Sequence, residues 1–373
     1  MPRRSDALPV LVLALFAAQT PAHASVVGGQ TREPVSAVVA HPSPQQAVAR
    51  DLRTLPPRPG EPVTIVLPAV SGAQSGGTRP QEHNPLRIAL LRWWDVNQSE
   101  AFVASTGQPA VLAFDGRDLW VGREDGRLEE IQTHDVTLVD TYQLNLNMVL
   151  PGDLAFDGKM VWITSKRENI VTRARASDGV ALMYLNAGRT PVGLAFDGKD
   201  MWIASRGDNW VMRVHADEMV WVASYPVSAP EYVAFDGKDM WVTSRSGGTV
   251  TKLSGSDGAI LGTFPVGALP ERLAFDGSSM WVVNSGSHNV MRLRINDGAL
   301  LGTFPVGMDP HGICFDGENV WISNSGSDDV TVLRASDGAQ VGTFPAGDGP
   351  QGIAFDGANV WVANRDGKSV RKM

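Results

Sequence analysis

The residues of this 373-residue chain that could do chemistry follow prolines that recur about every 40 residues. The two positions after each proline differ from copy to copy. His311 and Glu271 are the candidate catalytic pair, because an imidazole transfers protons near neutral pH and a carboxylate can orient it or hold a metal. The other polar residues at these positions are candidate ligand-binding groups: Glu231, Tyr232, Arg272 and Gln351.

A second set of polar residues lies about 15 residues after the same prolines. Cations around a concave centre attract polar or anionic ligands, so these residues are also candidates for binding. The alternative is that they are solvated charges without a ligand, and that His311 is a surface residue bonded to solvent or backbone. The set consists of Lys166, Arg206, Arg245, His288 and Arg365.

An internal repeat identifies the elements that position these residues. Phe-Asp-Gly occurs seven times, at steps of 39 to 42 residues, and a Trp follows each Phe by six positions. Each repeat has four short apolar segments separated by Asp-Gly or Ser-Gly turns, which are typical of β-hairpins. The pattern predicts one four-stranded antiparallel meander per repeat. The motif phenylalanines are Phe114, Phe156, Phe196, Phe235, Phe275, Phe315 and Phe355.

The apolar pattern predicts how these meanders assemble. The first two strands carry consecutive apolar residues, as in Leu194–Phe196 and Met201–Ile203, so both faces of each sheet must be covered. Seven such sheets around an axis predict an all-β fold, a seven-bladed β-propeller. The last repeat ends after its third strand, and Ala101–Ser105 matches the missing fourth strand. We therefore expect this N-terminal strand to complete the last blade and to close the ring.

The aspartates of the Phe-Asp-Gly motifs are predicted to be structural, because every copy has one. Each stands without the alternating oxygen ligands that a calcium-binding loop requires. Function is therefore expected at the opposite face of the ring, where the copies differ.

The segment before the repeats differs in character. Residues 1–24 fit a signal peptide, with Arg3 and Arg4 before an apolar run and a small-residue cleavage pattern. Residues 25–85 contain ten prolines and predict a flexible linker. We assign 86–373 to the propeller and expect an exported monomer, periplasmic or extracellular, without a transmembrane segment in the mature chain.

The composition narrows the class of protein. An apolar content of 43% excludes a wholly disordered chain. The formal net charge is −8, and removal of the predicted signal peptide leaves 30 basic and 39 acidic residues, or −9. This charge disfavours a nucleic-acid partner. The single cysteine excludes a disulfide framework and a metal site with several cysteines.

The Phe-Asp-Gly and Trp-Val copies, with Gly-Thr-Phe-Pro-Val-Gly at 262–267 and 302–307, make residues 101–373 resemble secreted bacterial propellers of NHL or YVTN repeats. That group includes virginiamycin B lyase-like proteins, binding proteins and cell-surface proteins. Resemblance to the lyases implies a His/Glu site with Mg²⁺ at the channel mouth. The chain departs from those lyases after the aromatic pair of each blade, where they look to have an acidic residue. The residues there are Ser165, Ser205, Ser244, Asn284, Asn324 and Asn364, which can bond turn backbone.

These observations lead us to expect an exported binding or interaction protein with a polar ligand or partner site at the channel mouth. The partner would be a protein or a cell-envelope ligand. The alternative is a metal-assisted lyase or hydrolase of a cyclic ester or lactone, with His311 and Glu271 in catalysis. A second alternative is DNA binding through the basic loops, where Lys166, Arg167, Arg206 and Arg245 could make a local patch.

Overall fold

The computed structural model describes residues 102–144 and 150–373, and strands make up most of this part of the chain. The 28 strands form seven four-stranded antiparallel sheets. Two short 3-10 turns, Arg206–Asp208 and Ser285–Ser287, are also present. No helix in these residues is long and apolar enough to cross a membrane. The predicted signal peptide and linker, 1–24 and 25–85, lie outside the described residues.

Each sheet is one blade, and blades are numbered by the chain order of their innermost strands. Strand β1 is Phe102–Ala104. Blade 1 contains β2 Pro109–Phe114, β3 Asp118–Arg123, β4 Arg127–Gln132 and β5 Thr137–Gln143. Blade 2 contains β6 Pro151–Phe156, β7 Met160–Ser165, β8 Ile170–Arg175 and β9 Ala181–Asn186. Blade 3 contains β10 Pro191–Phe196, β11 Asp200–Ser205, β12 Trp210–His215 and β13 Val220–Pro226.

The remaining four blades follow the same plan. Blade 4 contains β14 Pro230–Phe235, β15 Met240–Ser244, β16 Thr249–Leu253 and β17 Ile260–Pro265. Blade 5 contains β18 Pro270–Phe275, β19 Ser279–Asn284, β20 Asn289–Arg294 and β21 Leu300–Pro305. Blade 6 contains β22 Pro310–Phe315, β23 Asn319–Asn324, β24 Asp329–Arg334 and β25 Gln340–Pro345. Blade 7 contains β26 Pro350–Phe355, β27 Val360–Asn364, β28 Ser369–Lys372 and β1.

The blades close into a ring, as the sequence predicts. The innermost strands of neighbouring blades contact each other around the whole circle, including β26 of blade 7 with β2 of blade 1. Strand β1 pairs with β28, with Val103 opposite Val370, so both ends of the propeller share blade 7. The predicted seven-bladed fold and its closing strand are therefore confirmed.

The core lies between blades. The seven motif tryptophans are almost completely buried. Trp202 of blade 3, for example, packs against Val233 and Val242 of blade 4. This packing explains the consecutive apolar residues of the second strands, which are covered on both faces.

The Phe-Asp-Gly turns fix these tryptophans. In blade 3, Oδ1 of Asp197 accepts the backbone N–H groups of Lys199 and Asp200, and Oδ2 accepts the indole N–H of Trp202 at 2.8 Å. Gly198 turns the chain with φ of +97°, a conformation that glycine adopts without steric cost. All seven blades repeat the Asp–Trp bond at 2.6–2.8 Å, which confirms that these aspartates are structural.

A buried ion pair fastens the closing strand to blade 1. The side chains of Arg123 and Glu129 are 2% and 0% exposed and lie 3.0 Å apart. Glu129 also accepts hydrogen bonds from the Ser105 hydroxyl and from the backbone N–H of Thr106. These bonds tie the segment between β1 and β2 to the sheet of blade 1.

Candidate functional site

The variable positions and the basic loops lie on one face of the ring. In each of several blades, the residue after the second strand donates its backbone N–H to the residue before the proline of the first strand. Arg206 bonds Thr190 in this way at 3.1 Å, and Arg365 bonds Gly349 at 2.9 Å. We call the opening of the channel at this face the channel mouth.

Two arginines at the mouth each reach a carboxylate of the next blade. Nη1 of Arg206, in blade 3, lies 2.9 Å from both carboxylate oxygens of Glu231 in blade 4. Nε of Arg245, in blade 4, donates to Glu271 in blade 5 at 2.7 Å. Both glutamates are buried, whereas the arginine side chains are each 39% exposed. In both cases the residue after the second strand of one blade pairs with the residue after the proline of the next blade.

The buried charges around Glu231 shift the pKa of its carboxyl group. Burial raises the pKa of its carboxyl group, and the nearby carboxylate of Glu271 raises it further. The guanidinium of Arg206 opposes both effects. The net effect is a carboxyl pKa above its ordinary value, and Arg206 limits the shift.

An ion pair crosses the channel. Nη1 of Arg272, in blade 5, lies 2.7 Å from Oδ1 of Asp153, in blade 2, three blades away around the ring. Oδ2 of Asp153 accepts the backbone N–H of Leu194 at 3.0 Å. The guanidinium of Arg272 lies 4.3 Å from the ring centroid of Tyr232, within cation–π range. This bridge joins opposite sides of the mouth.

The surroundings raise the pKa of both Arg272 and Tyr232. Burial disfavours the charge on Arg272, but Asp153 and Tyr232 outweigh it and keep the guanidinium pKa above its ordinary value. Burial also raises the pKa of the Tyr232 phenol. Sequence reasoning placed Asp153 at a variable position but did not select it. The sequence feature that could have identified Asp153 is that it is the one carboxylate at this position of the repeat. The other blades have Val111, Gly193, Tyr232, Arg272, Gly312 and Gly352 there.

Lys166, in the loop after β7 of blade 2, belongs to the same cluster. Burial lowers the pKa of its ammonium group, and Arg272 and Arg206 add to that shift. Glu231 and Glu271 act in the opposite direction. In the described part of the chain, no carboxylate forms an ion pair with Lys166, in contrast to the three arginines.

The structure does not join the candidate catalytic pair. Nε2 of His311 lies 3.5 Å from Oδ2 of Asp309, and its side chain is 30% exposed. Glu271 is held by Arg245 instead, and no hydrogen bond links it to His311. Catalysis by this pair therefore remains a prediction.

The remaining candidates lie around the rest of the ring. Gln351 is half-buried in blade 7, and His288 is exposed and accepts the backbone N–H of Asp309 at 3.1 Å. Arg365 pairs with Glu124, which links blade 7 to blade 1. The structure thus gathers Lys166, Arg206, Arg245, Glu231, Tyr232, Glu271 and Arg272 from blades 2 to 5, with Asp153.

The mouth does not fit the Mg²⁺ that the resemblance implies. Mg²⁺ takes oxygen ligands in near-octahedral geometry, and its protein ligands are carboxylates. Glu231 and Glu271 are both engaged by arginine. Within residues 102–144 and 150–373, no group of three or more His, Cys, Asp or Glu side chains could hold a metal. Among the residues at the expected acidic position, Ser205, Ser244 and Asn364 bond backbone carbonyl groups, whereas Ser165 and Asn324 bond side chains.

Comparison with known proteins gives the fold. No sequence family and no curated protein sequence match the chain. Among solved structures, Kuenenia stuttgartiensis hydrazine synthase is similar, with a TM-score of 0.64 and 16% identity over 74% of this chain and 98% of that chain. A streptogramin B lyase structure is similar, with a TM-score of 0.62 and 14% identity over 73% of this chain and 95% of that one. The shared feature is the propeller. At these identities the likeness carries no residue-level function.

Proposed function

We propose that this chain is an exported binding protein whose channel mouth holds a polar ligand or partner. One observation carries the proposal: charged side chains from four neighbouring blades converge at the mouth, beside a bridge that crosses the channel. Burying ion pairs costs desolvation energy and often adds no net stability. We infer that these charges serve recognition.

Ligand-observed NMR tests this proposal. The chain from residue 25 would be screened against anionic, cationic and neutral polar fragments. We expect binding that Arg245→Gln weakens, because this change removes a cation from the mouth. The control is Arg294→Gln, which removes an exposed arginine paired with Asp297 on the opposite face. Binding of no fragment, or equal binding by both variants, would contradict the proposal.

A lactone-opening lyase is the second candidate, favoured by the likeness to a streptogramin B lyase structure and by a half-buried imidazole at the mouth. Incubation with streptogramin B, followed by mass spectrometry, tests it. The lyase hypothesis expects ring-opened product that disappears in His311→Ala while the fold persists. Product that persists in that variant would exclude His311, and no product from the unmodified chain would exclude this substrate.

A further inference from the structure

We propose that Lys166 forms the binding point for a single carboxylate group of the ligand. This inference rests on the proposed binding function and names the chemical class of its ligand. It follows from the ion pairs of the cluster, the free hydrogen-bond donors around it and the partial burial of Lys166.

The buried carboxylates of the cluster already have partners. Asp309, whose side chain is 55% exposed, acts on Arg245 from the rim. The buried carboxylates are those of Asp153, Glu231 and Glu271, and four cations face them, Lys166, Arg206, Arg245 and Arg272. Each arginine contacts one of these carboxylates at 2.7–2.9 Å. Lys166 is the cation without such a partner among the described residues, so a ligand carboxylate would supply its counter-charge.

Donors for a carboxylate are present at the rim. Arg206 uses only Nη1 toward Glu231, and Arg245 uses only Nε toward Glu271. Their other N–H groups make no hydrogen bonds to described residues, and both side chains are partly exposed. A carboxylate has two acceptor oxygens, which could bond Lys166 and one of these guanidinium groups together.

The same charges select against a dianion. A phosphate with two negative charges would leave an uncompensated charge close to Glu231 and Glu271, and buried unpaired charge is costly. A monocarboxylate adds a single charge, which the ammonium group of Lys166 matches. We therefore expect the site to prefer a carboxylate over phosphate.

Fluorine NMR with trifluoroacetate as the probe tests this assignment. The chain from residue 25 should broaden the trifluoroacetate signal, and acetate should compete more effectively than inorganic phosphate. Trifluoroethanol, which carries the same fluorines without the charge, should not be broadened. Lys166→Met should weaken binding at least fivefold, whereas Lys199→Met, which removes an exposed lysine from a Phe-Asp-Gly turn, should not.

A second variant keeps the test independent of any folding defect in Lys166→Met. Glu231→Gln removes a competing carboxylate and frees Arg206, so it should tighten trifluoroacetate binding and improve competition by phosphate. Equal binding by Lys166→Met and the unmodified chain would overturn the assignment to Lys166. If trifluoroacetate fails to bind while the fragment screen finds a neutral or cationic ligand sensitive to Arg245→Gln, the carboxylate class is wrong and the binding function stands.

Discussion

At the residue scale, two cations of the channel mouth, Lys166 and Arg272, differ in their ion-pair partners. Arg272 is matched by Asp153 at 2.7 Å and lies over Tyr232, so its charge is secured. Lys166 is half-buried beside two glutamates and two arginines without an ion pair to a described residue. A lysine in this position titrates readily, whereas an arginine stays charged.

The lowered pKa of Lys166 predicts a pH dependence of stability. The folded chain binds its proton less tightly than the unfolded chain, so folding becomes more favourable as pH rises through the folded pKa toward the ordinary lysine value of about 10.4. We expect the free energy of unfolding of the unmodified chain to increase relative to that of Lys166→Met as pH rises across this interval. Urea denaturation from pH 7 to pH 10.5 measures this difference. A difference that is constant with pH would contradict the lowered pKa.

The ion pair between Arg272 and Asp153 predicts that a single substitution strongly lowers the free energy of unfolding. Asp153→Asn leaves the guanidinium of Arg272 with no carboxylate partner, and breaking one side of a buried pair typically costs about 3–5 kcal/mol. We expect a loss at the lower end of this range, because the Arg272 side chain is 22% exposed.

The double variant Asp153→Asn/Arg272→Met provides the control for this prediction. It removes both charges and should recover much of the lost stability. Chemical denaturation of the three proteins gives the comparison. A double variant that is less stable than Asp153→Asn would show that the bridge is not the cause.

At the element scale, the closing strand is held by side chains as well as by the ladder. Glu129 accepts bonds from Ser105, Thr106 and Arg123 and is fully buried. Glu129→Gln weakens all of these contacts and leaves the buried Arg123 with Asp125 as its one carboxylate partner among the described residues.

We expect Glu129→Gln to reduce the free energy of unfolding by about 2–4 kcal/mol and to raise amide hydrogen exchange in β1 and β28 first. The matched control is Glu218→Gln, an exposed residue on a hairpin turn, which should change neither quantity. Exchange that rises equally in all blades would argue against a local role in closure.

The fold was predictable because its signals are local and repeated. Asp-Gly turns and apolar runs recur in every blade, and the observed strands extend the predicted apolar runs by a few residues, as in Asp200–Ser205 against Met201–Ile203. The borrowed strand was predictable because the last repeat lacks one. Locally, each pattern specifies its own hairpin.

The contacts of the mouth were less predictable. Asp153 and Arg272 are 119 residues apart and meet only because the ring places their blades on opposite sides. Glu271 and His311 occupy the same position in successive blades, but Glu271 pairs with Arg245, in the loop of blade 4, and not with His311. Sequence pattern assigns a residue to a face, whereas side-chain reach and competition between partners decide its contacts.

At the scale of the whole molecule, the two faces of the ring have separate tasks. The face of the Phe-Asp-Gly turns repeats one Asp–Trp bond in all blades and supports the packing between them. The opposite face carries the variation, and the three ion pairs of Arg206, Arg245 and Arg272 lie on blades 2 to 5. The Phe-Asp-Gly turns at one end of each blade thus stabilise the scaffold, while the residues at the other end form the candidate site.

A crystal structure of the chain from residue 25 with 4-bromobenzoate tests the central claim, because the anomalous signal of bromine locates the ligand. We predict a bromine peak at the channel mouth, with the carboxylate in hydrogen-bond distance of Lys166 Nζ and the bridge between Arg272 and Asp153 in place. A ligand bound on the outer strands or on the opposite face, with the mouth empty, would contradict it.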